Sequence, residues 1–578
     1  MYIQRNKVKS KSGKEYSSVL LCTKYREGSK IKTRVEANLS KLPEHVIVGI
    51  ENMLKSERET PVQLKDISIS RCIDYGYIYV LMQKLRELRI DEVLEKTLYP
   101  ADAALVKAMI VGKIVTGGSK LCIYNWLCRE RAICEFLGVN MQGCKVDALY
   151  RSLGQMSRRQ GEIEKKWMRY HKGAHRRIYL YDITSSYFEG THNALAAYGY
   201  NRDGKRGKMQ MCVGLLTGED GFPLRIEAFA GNTSDSKTVS GQLHALKKEF
   251  GAERIIFVGD RGMQITYNLE NEPELLDENI DFITGLTRTQ IHALIAHGKI
   301  ELGLFNSDLA EVTVDGLRYI LSVNPALEVK EQIWLENACK RVDALVAHIR
   351  KSWEKRCARN RENHLKQQEK EKKYKHLKTE LTVKDTDNYK RRVAHVLKEC
   401  GMGKYYTIAA IDNERFEVEF KQDEYDKSYS LCGKYVVCTG VPAEEMSTQE
   451  VRGQYKNLQH VEHAFRDIKS DNINIRPIFH YNELQTRGHV LLCMFAYAII
   501  KELENKLFPF LKEYNRNHSA QLSFNDLIAE LNNIKICELN IGKGVNTLQY
   551  PELNPLQEKL VDVLCIDPKK MIDGKMKT

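Results

Sequence analysis

Residues Arg176–Gly190 read RRIYLYDITSSYFEG. β-branched and aromatic residues crowd this run, which is the composition of a strand half or wholly buried in a sheet. One carboxylate, Asp182, stands inside it between YLY and ITSSYF. An acid buried there without a partner costs several kcal/mol, so a cation or metal partner is expected. The next segments keep the strand period. Lys208–Gly231 (KMQMCVGLLTGEDGFPLRIEAFAG) is two apolar runs joined by Glu219-Asp220-Gly221, a strong hairpin signal. Ser234–Phe250 starts with capping residue types and continues as an amphipathic helix. Arg254–Asp260 (RIIFVGD) is a short buried strand ending in Asp260, Met263–Leu276 reads as a helix, and Asp281–Thr287 (DFITGLT) as another strand. The first three strands are expected to be antiparallel. The later two need crossover helices and are expected to be parallel. That order matches a ribonuclease-H-like α/β core.

Outside this block the period changes. Residues 1–60 mix short β-like runs (YSSVLLCTKY, KTRVEANLS) with Lys and Arg and read as a small basic module. Residues 61–175 carry three-to-four apolar spacing and read as a helical region. The core's first half is expected over 176–300, a β-containing insertion domain over 301–440, the core's second half over 441–515, and a mixed tail over 516–578. Within Lys351–Glu380 eleven Lys/Arg meet five Asp/Glu, which suits either a solvated helix laced by i,i+4 pairs or a helix that follows a DNA backbone.

The chain of 578 residues is too long for one ordinary core. Lys plus Arg is 89 against 76 for Asp plus Glu, a net +13, which favours a polyanionic partner. Fifteen scattered cysteines include no CxxC pair, which argues against a zinc ribbon or a thioredoxin-type site and fits reduced cytoplasmic thiols. The N-terminus lacks an apolar signal-peptide core, and Val490–Ile500 (VLLCMFAYAII) is too short to span a bilayer. A soluble, cytoplasmic protein is expected.

The second chemistry-bearing stretch is Tyr455–Asp471, YKNLQHVEHAFRDIKSD. Read as one helix, it sets Tyr455, Glu462 and Lys469 seven residues apart, with Arg466 four after Glu462, beside an apolar stripe of Leu458, Val461, Phe465 and Ile468. Asp182, Asp260 and Glu462 are thus three carboxylates that an α/β sheet and a helix packed on it could bring together. Such a set could hold two divalent cations about 4 Å apart. Hard oxygen ligands with few competing His or Cys point to Mg²⁺ or Mn²⁺, and cations near the acids are expected for phosphoryl chemistry.

These contexts resemble a DDE transposase of a bacterial insertion sequence, in the insertion-sequence-four group. That group's signature is Tyr, two residues, Arg, three residues, Glu, six residues, Lys. Tyr455, Glu462 and Lys469 fall at those spacings, and Leu458 stands at the Arg position. YDITSSYFEG around Asp182 and GDRGM around Asp260 are similar to the family's contexts, as are GYNRDGKRGKMQ, FAGNTSDSKT and IRPIFHYNELQTRGHV. Asp260 follows Asp182 by 78 residues, and Glu462 follows Asp260 by 202, long enough for the insertion this group carries. At LCGKYVV, Cys432 stands where Asp is expected before the glycine.

The resemblance implies that Asp182, Asp260 and Glu462 are the catalytic metal ligands. It implies that Tyr455 and Lys469 contact the backbone of the transposon end, with Arg466 compensating for Leu458 and Arg261 also near phosphate. Arg202, in the loop NRDGKRGK with Lys205, Arg206 and Lys208, is a DNA contact or a solvated loop residue. Asn232–Asp235 (GNTSD) is expected to cap the following helix, and His480 and His489 are expected to be structural. The implied partners are double-stranded DNA, both transposon ends and target, and a second copy of the chain in a synaptic dimer; the implied location is the bacterial nucleoid. Two rivals are a metal-dependent nuclease without strand transfer and a non-catalytic DNA-binding repressor or domesticated copy.

Overall fold

A computed structural model describes residues 1–9, 15–55, 68–171, 177–263, 279–369, 376–378, 383–410, 416–470, 473–540 and 546–566. The chain divides into two compact units, one of Met1–Val80 with Lys506–Thr578 and the other of Leu81–Asn505.

In the first unit, β1 (Tyr2–Lys9), β2 (Glu15–Glu27) and β3 (Lys30–Asn38) form an antiparallel sheet, followed by the helix Glu44–Lys55. β4 (Ser68–Asp74) pairs antiparallel with the strand Lys535–Asn540, which also pairs with Asn546–Gln549. Composition alone divides the chain at residue 60 and leaves 516–578 as a tail. In the fold, β4, from the region 61–175, and the strands of the tail share one sheet. Buried Ile73 and Ile536 face each other across it, and this apolar pairing draws the ends of the chain into one unit.

The larger unit is built on an eight-stranded sheet. β5 (Ile178–Tyr187), β6 (Gln210–Gly218) and β7 (Pro223–Ala230) run antiparallel in sequence, turning at Glu219–Gly221, where Gly221 takes φ +79°. β8 (Ile255–Gly259) then pairs parallel with β5, and β9 (Ile280–Gly285) parallel with β8. β6 and β8 are buried along their whole length, which is why both read as unbroken apolar runs. The expected helix over Met263–Leu276 lies outside the described residues apart from its first residue.

The segment 301–440 both adds strands to the core sheet and forms a two-stranded sheet of its own. β10 (Leu309–Val314), β11 (Leu317–Val323) and β14 (Lys434–Thr439) extend the core sheet, giving the order β10-β11-β14-β9-β8-β5-β6-β7. The run KYVVCT in β14 is apolar and mostly buried, and it finds its partner in β9 by antiparallel pairing. Between β11 and β14 stands an excursion with its own core. The helix Pro325–Glu369, 45 residues long, buries Leu335, Val342, Ile349 and Trp353 at helical spacing. Val393 and Leu397 of the helix Val383–Glu399, and Phe416 of the hairpin β12 (Tyr406–Ala410) and β13 (Phe416–Phe420), complete that core. The charged stretch after Trp353 thus belongs to a helix solvated on one side, as far as Glu369.

Helices supply the rest of the unit. Val490–Ile500 lies inside the helix Glu483–Asn517 and is buried at every position, so it is core. Among the described residues no helix is long and apolar enough to cross a membrane. All fifteen cysteines are free thiols.

Candidate active site

Two of the three acids come from adjacent parallel strands. β5 and β8 are in register with Tyr181 opposite Gly259. Asp182 is the next residue on β5 and Asp260 the first residue beyond the end of β8, so the two acids stand at one level of the sheet. Asp182 is half-buried, and its Oδ1 accepts the backbone N–H of Ile183 at 2.7 Å. Burial raises its carboxyl to about 7, and the charges of Asp260 and Glu462 add to the rise; Ile183 and Arg202 work against it. Glu462 is therefore within electrostatic reach of the two aspartates. It is exposed on the helix Leu458–Lys469, which packs on β5 and β6 through buried Leu458, Val461, Phe465 and Ile468. The apolar stripe read from the sequence is the buried face, with Leu458 in it at the position where a cation was expected.

The residues fit a hard divalent cation by their chemistry: Asp182 feels the charges of Asp260 and Glu462, and among the described residues no cationic side chain is bonded to it. Among the described residues no three potential ligands are gathered closely enough to cage an ion as they stand.

Tyr455 departs from its expected position. The stretch 448–469 is two helices, Thr448–Lys456 and Leu458–Lys469, separated at Asn457. Tyr455 and Glu462 therefore do not share one unbroken face. The Tyr455 hydroxyl donates to Asp260 Oδ1 at 3.3 Å. Burial and the Asp260 charge raise the phenol well above its ordinary value, so it stays a proton donor. Its ring lies against Gly285 at the end of β9, where an added Cβ would fall 2.2 Å from the hydroxyl oxygen. Glycine at 285 is what admits the tyrosine.

Lys469 is also engaged. Its Nζ donates to Thr184 Oγ1 at 2.7 Å and to Asp203 Oδ1 at 2.8 Å. Burial, only partly offset by Asp203, holds it below the usual lysine range. Asp203 also accepts Arg476 Nη1 at 2.5 Å, its side chain is only 2% exposed, and its Oδ2 has no hydrogen-bond partner. This aspartate was missed in the sequence. The only signal was one acid inside the basic loop NRDGKRGK, read there for its cations.

Arg202 pairs bidentately with Asp235, Nη2 lying 2.8 and 2.6 Å from the two carboxylate oxygens. This overturns the capping role expected of GNTSD: Asp235 stands at the N-cap of the helix Ser236–His244 without a side-chain cap bond, because its carboxylate is taken by Arg202. Arg261 is exposed, with Nε 3.8 Å from Asp260. Arg466 is exposed on the Glu462 helix. His489 is buried and doubly hydrogen-bonded, to Lys120 and the Ile475 carbonyl, as expected of a structural histidine.

No curated protein matches the chain. Among solved structures, the chain is similar to that in the "Cryo-EM structure of piggyBac transposase synaptic complex with hairpin DNA (SNHP)", with 8% sequence identity, TM-score 0.33, and coverage of 79% of this chain and 76% of that one. The profile of the family described as "Transposase DDE domain" matches residues 173–499, more than half the chain and the whole span from before Asp182 to beyond Glu462. The chain belongs to the transposase DDE domain family.

Proposed function

We propose that this protein is a DNA transposase of the bacterial insertion-sequence-four type, which binds terminal inverted repeats, cleaves DNA at the element's ends and joins them to a target. The observation that carries this reading is that Asp182 and Asp260 each follow one member of the in-register pair Tyr181 and Gly259 on adjacent parallel strands, with Glu462 in electrostatic reach of Asp182 from the helix packed on β5 and β6. The strand order β7-β6-β5-β8-β9, with three antiparallel strands followed by two parallel ones, supports a ribonuclease-H-like core. Asp182, Asp260 and Glu462 would hold Mg²⁺ or Mn²⁺. The metal would supply activation of an attacking water or 3′-hydroxyl and charge for the leaving oxygen.

The chain's own residues prepare that corner. Tyr455 fixes the Asp260 carboxylate by donating to it. Lys469, tied to Thr184 on β5 and to Asp203, fastens the far end of the Glu462 helix to the strand that carries Asp182. Both are thereby positioning residues, while Arg261 and Arg466 are exposed cations that would meet a DNA backbone beside the acids. DNA binding is expected to assemble a homodimer, one copy per element end.

The test is cleavage of a supercoiled plasmid carrying the gene's native flanks, by the wild type and by Glu462→Gln, with Mg²⁺ or with EDTA. Cleavage at the flank boundaries and joined products are expected from the wild type with metal only. Cleavage by Glu462→Gln would remove Glu462 from the ligand set. Cleavage without joined products would make the protein a nuclease.

A further inference from the structure

A cavity of about 580 Å³ in the larger unit is lined by Lys113, Lys120, Arg151 and Arg476, with Asp147 the sole acid among its lining residues. The first two are lysines only 3% exposed. Lys120 Nζ lies 2.5 Å from His489 Nδ1, which accepts, because His489 Nε2 donates to the Ile475 carbonyl. Lys113 Nζ is held by three carbonyls, those of Gly117, Gly118 and Asn474, at 3.2, 2.8 and 3.2 Å. Neither ammonium has a carboxylate partner among these contacts. A buried charge with no counter-ion is costly, and natural proteins pair such charges. Burial lowers Lys120 to about 7 and holds Lys113 below the usual lysine range, and Arg476 already pairs with Asp203, so an anion entering the cavity would restore the charge of the lysines. The helix Lys120–Arg129, ten residues long, begins at this wall with Ser119 as its N-cap, and its N-terminal end adds positive potential.

We propose that this cavity is a phosphate-binding site apart from the three acids, in which Lys120, Arg151 and Arg476 hold one phosphomonoester or phosphodiester group and Lys113, its three donors taken by carbonyls, adds only positive charge. Rigid cationic donors converging on a wet cavity suit phosphate oxygens, which take several charge-assisted bonds at once. Arg476 links the two sites, because it lines the cavity and also bonds Asp203, the partner of Lys469. The phosphate could come from a DNA strand or from a free nucleotide or inorganic phosphate. The proposal does not depend on the reading of the three acids.

The test uses the full chain, with inorganic phosphate as the probe, against chloride at equal ionic strength. Phosphate is expected to raise the wild-type Tm by about 2–4 °C, and the shift is expected to vanish in Lys120→Met and Arg151→Gln. Arg151 is exposed, so its variant keeps the test decisive even where Lys120→Met does not fold. Binding of a DNA oligonucleotide to the same variants separates the sources. A tenfold or greater loss of DNA affinity, with phosphate competing, assigns the site to the DNA backbone. Unchanged DNA affinity with loss of the phosphate shift assigns it to a free phosphate compound. Absence of any phosphate-specific shift in the wild type, or an equal shift in both variants, would overturn the proposal and leave the lysines as structural groups.

Discussion

The Tyr455 hydroxyl donates a hydrogen bond to the Asp260 carboxylate across 3.3 Å, from a helix 195 residues further along the chain. The bond joins the strand end that carries one acid to the helix pair that carries another. Tyr455→Phe keeps the ring in place and removes only the donor. The expected cost to stability is about 0.5–1.5 kcal/mol, read by urea denaturation, and the expected cost to DNA cleavage is larger, about tenfold, because Asp260 loses its orientation. DNA affinity should hold. A loss of affinity with unchanged cleavage per bound complex would instead make Tyr455 a DNA contact.

Gly285 tests the same corner from the strand side. A methyl group there would meet Tyr455 Oη at 2.2 Å and Cζ at 2.8 Å. Both ring and strand are packed, so Gly285→Ala is expected to cost about 1–3 kcal/mol. Tyr455→Ala opens the space the methyl needs. The double variant should then be less destabilised than the two single changes added together, and strict additivity in the cycle would show that the two sites do not share this contact.

The sequence showed the core strands because period, length and turn chemistry are local properties. Asp182 and Asp260 stood out for the same reason: each interrupts or ends an apolar run. The place of β14 was not legible, since KYVVCT reads as a strand but says nothing of its neighbour β9. Nor was the break at Asn457, whose backbone (φ −65°, ψ −12°) stays near the helical region while the apolar period runs on past it. The ion pairs were hidden by distance in the chain: Arg202 and Asp235 are 33 residues apart, and Asp203 and Lys469 are 266 apart. Spacing rules describe one helix face or one strand and are silent on loops that close over each other.

Asp203 gives a sharp asymmetry. It is the shared acceptor of Lys469 and Arg476, and it is nearly inaccessible. Asp203→Ala leaves two cations close together without their acid, with Lys469 only 13% exposed, and is expected to destabilise by about 3–5 kcal/mol. Lys469→Met still leaves Asp203 with Arg476 and should cost clearly less. Denaturant midpoints of the two variants decide the matter; equal losses would mean that Arg476 does not neutralise Asp203 alone.

His480 carries the acid sensitivity of the cationic cavity. Burial, with the charges of Lys120 and Lys113, lowers it to about 3 from 6.5, and His489 is likewise held well below 6.5, chiefly by burial. A histidine depressed in the fold binds its proton first in the unfolded chain. As pH falls from about 6.5 towards 3, the unfolded state takes up protons that the folded state refuses, so stability falls over that window. Tyr150, whose ring packs edge-on to His480, stays neutral throughout this range, so it does not change the sign. His480→Gln removes one of the two protons and should make the decline of Tm between pH 7 and pH 4 shallower without abolishing it. An unchanged slope would mean that His480 accepts its proton in the folded state, which requires an anion beside it or water admitted to the cavity.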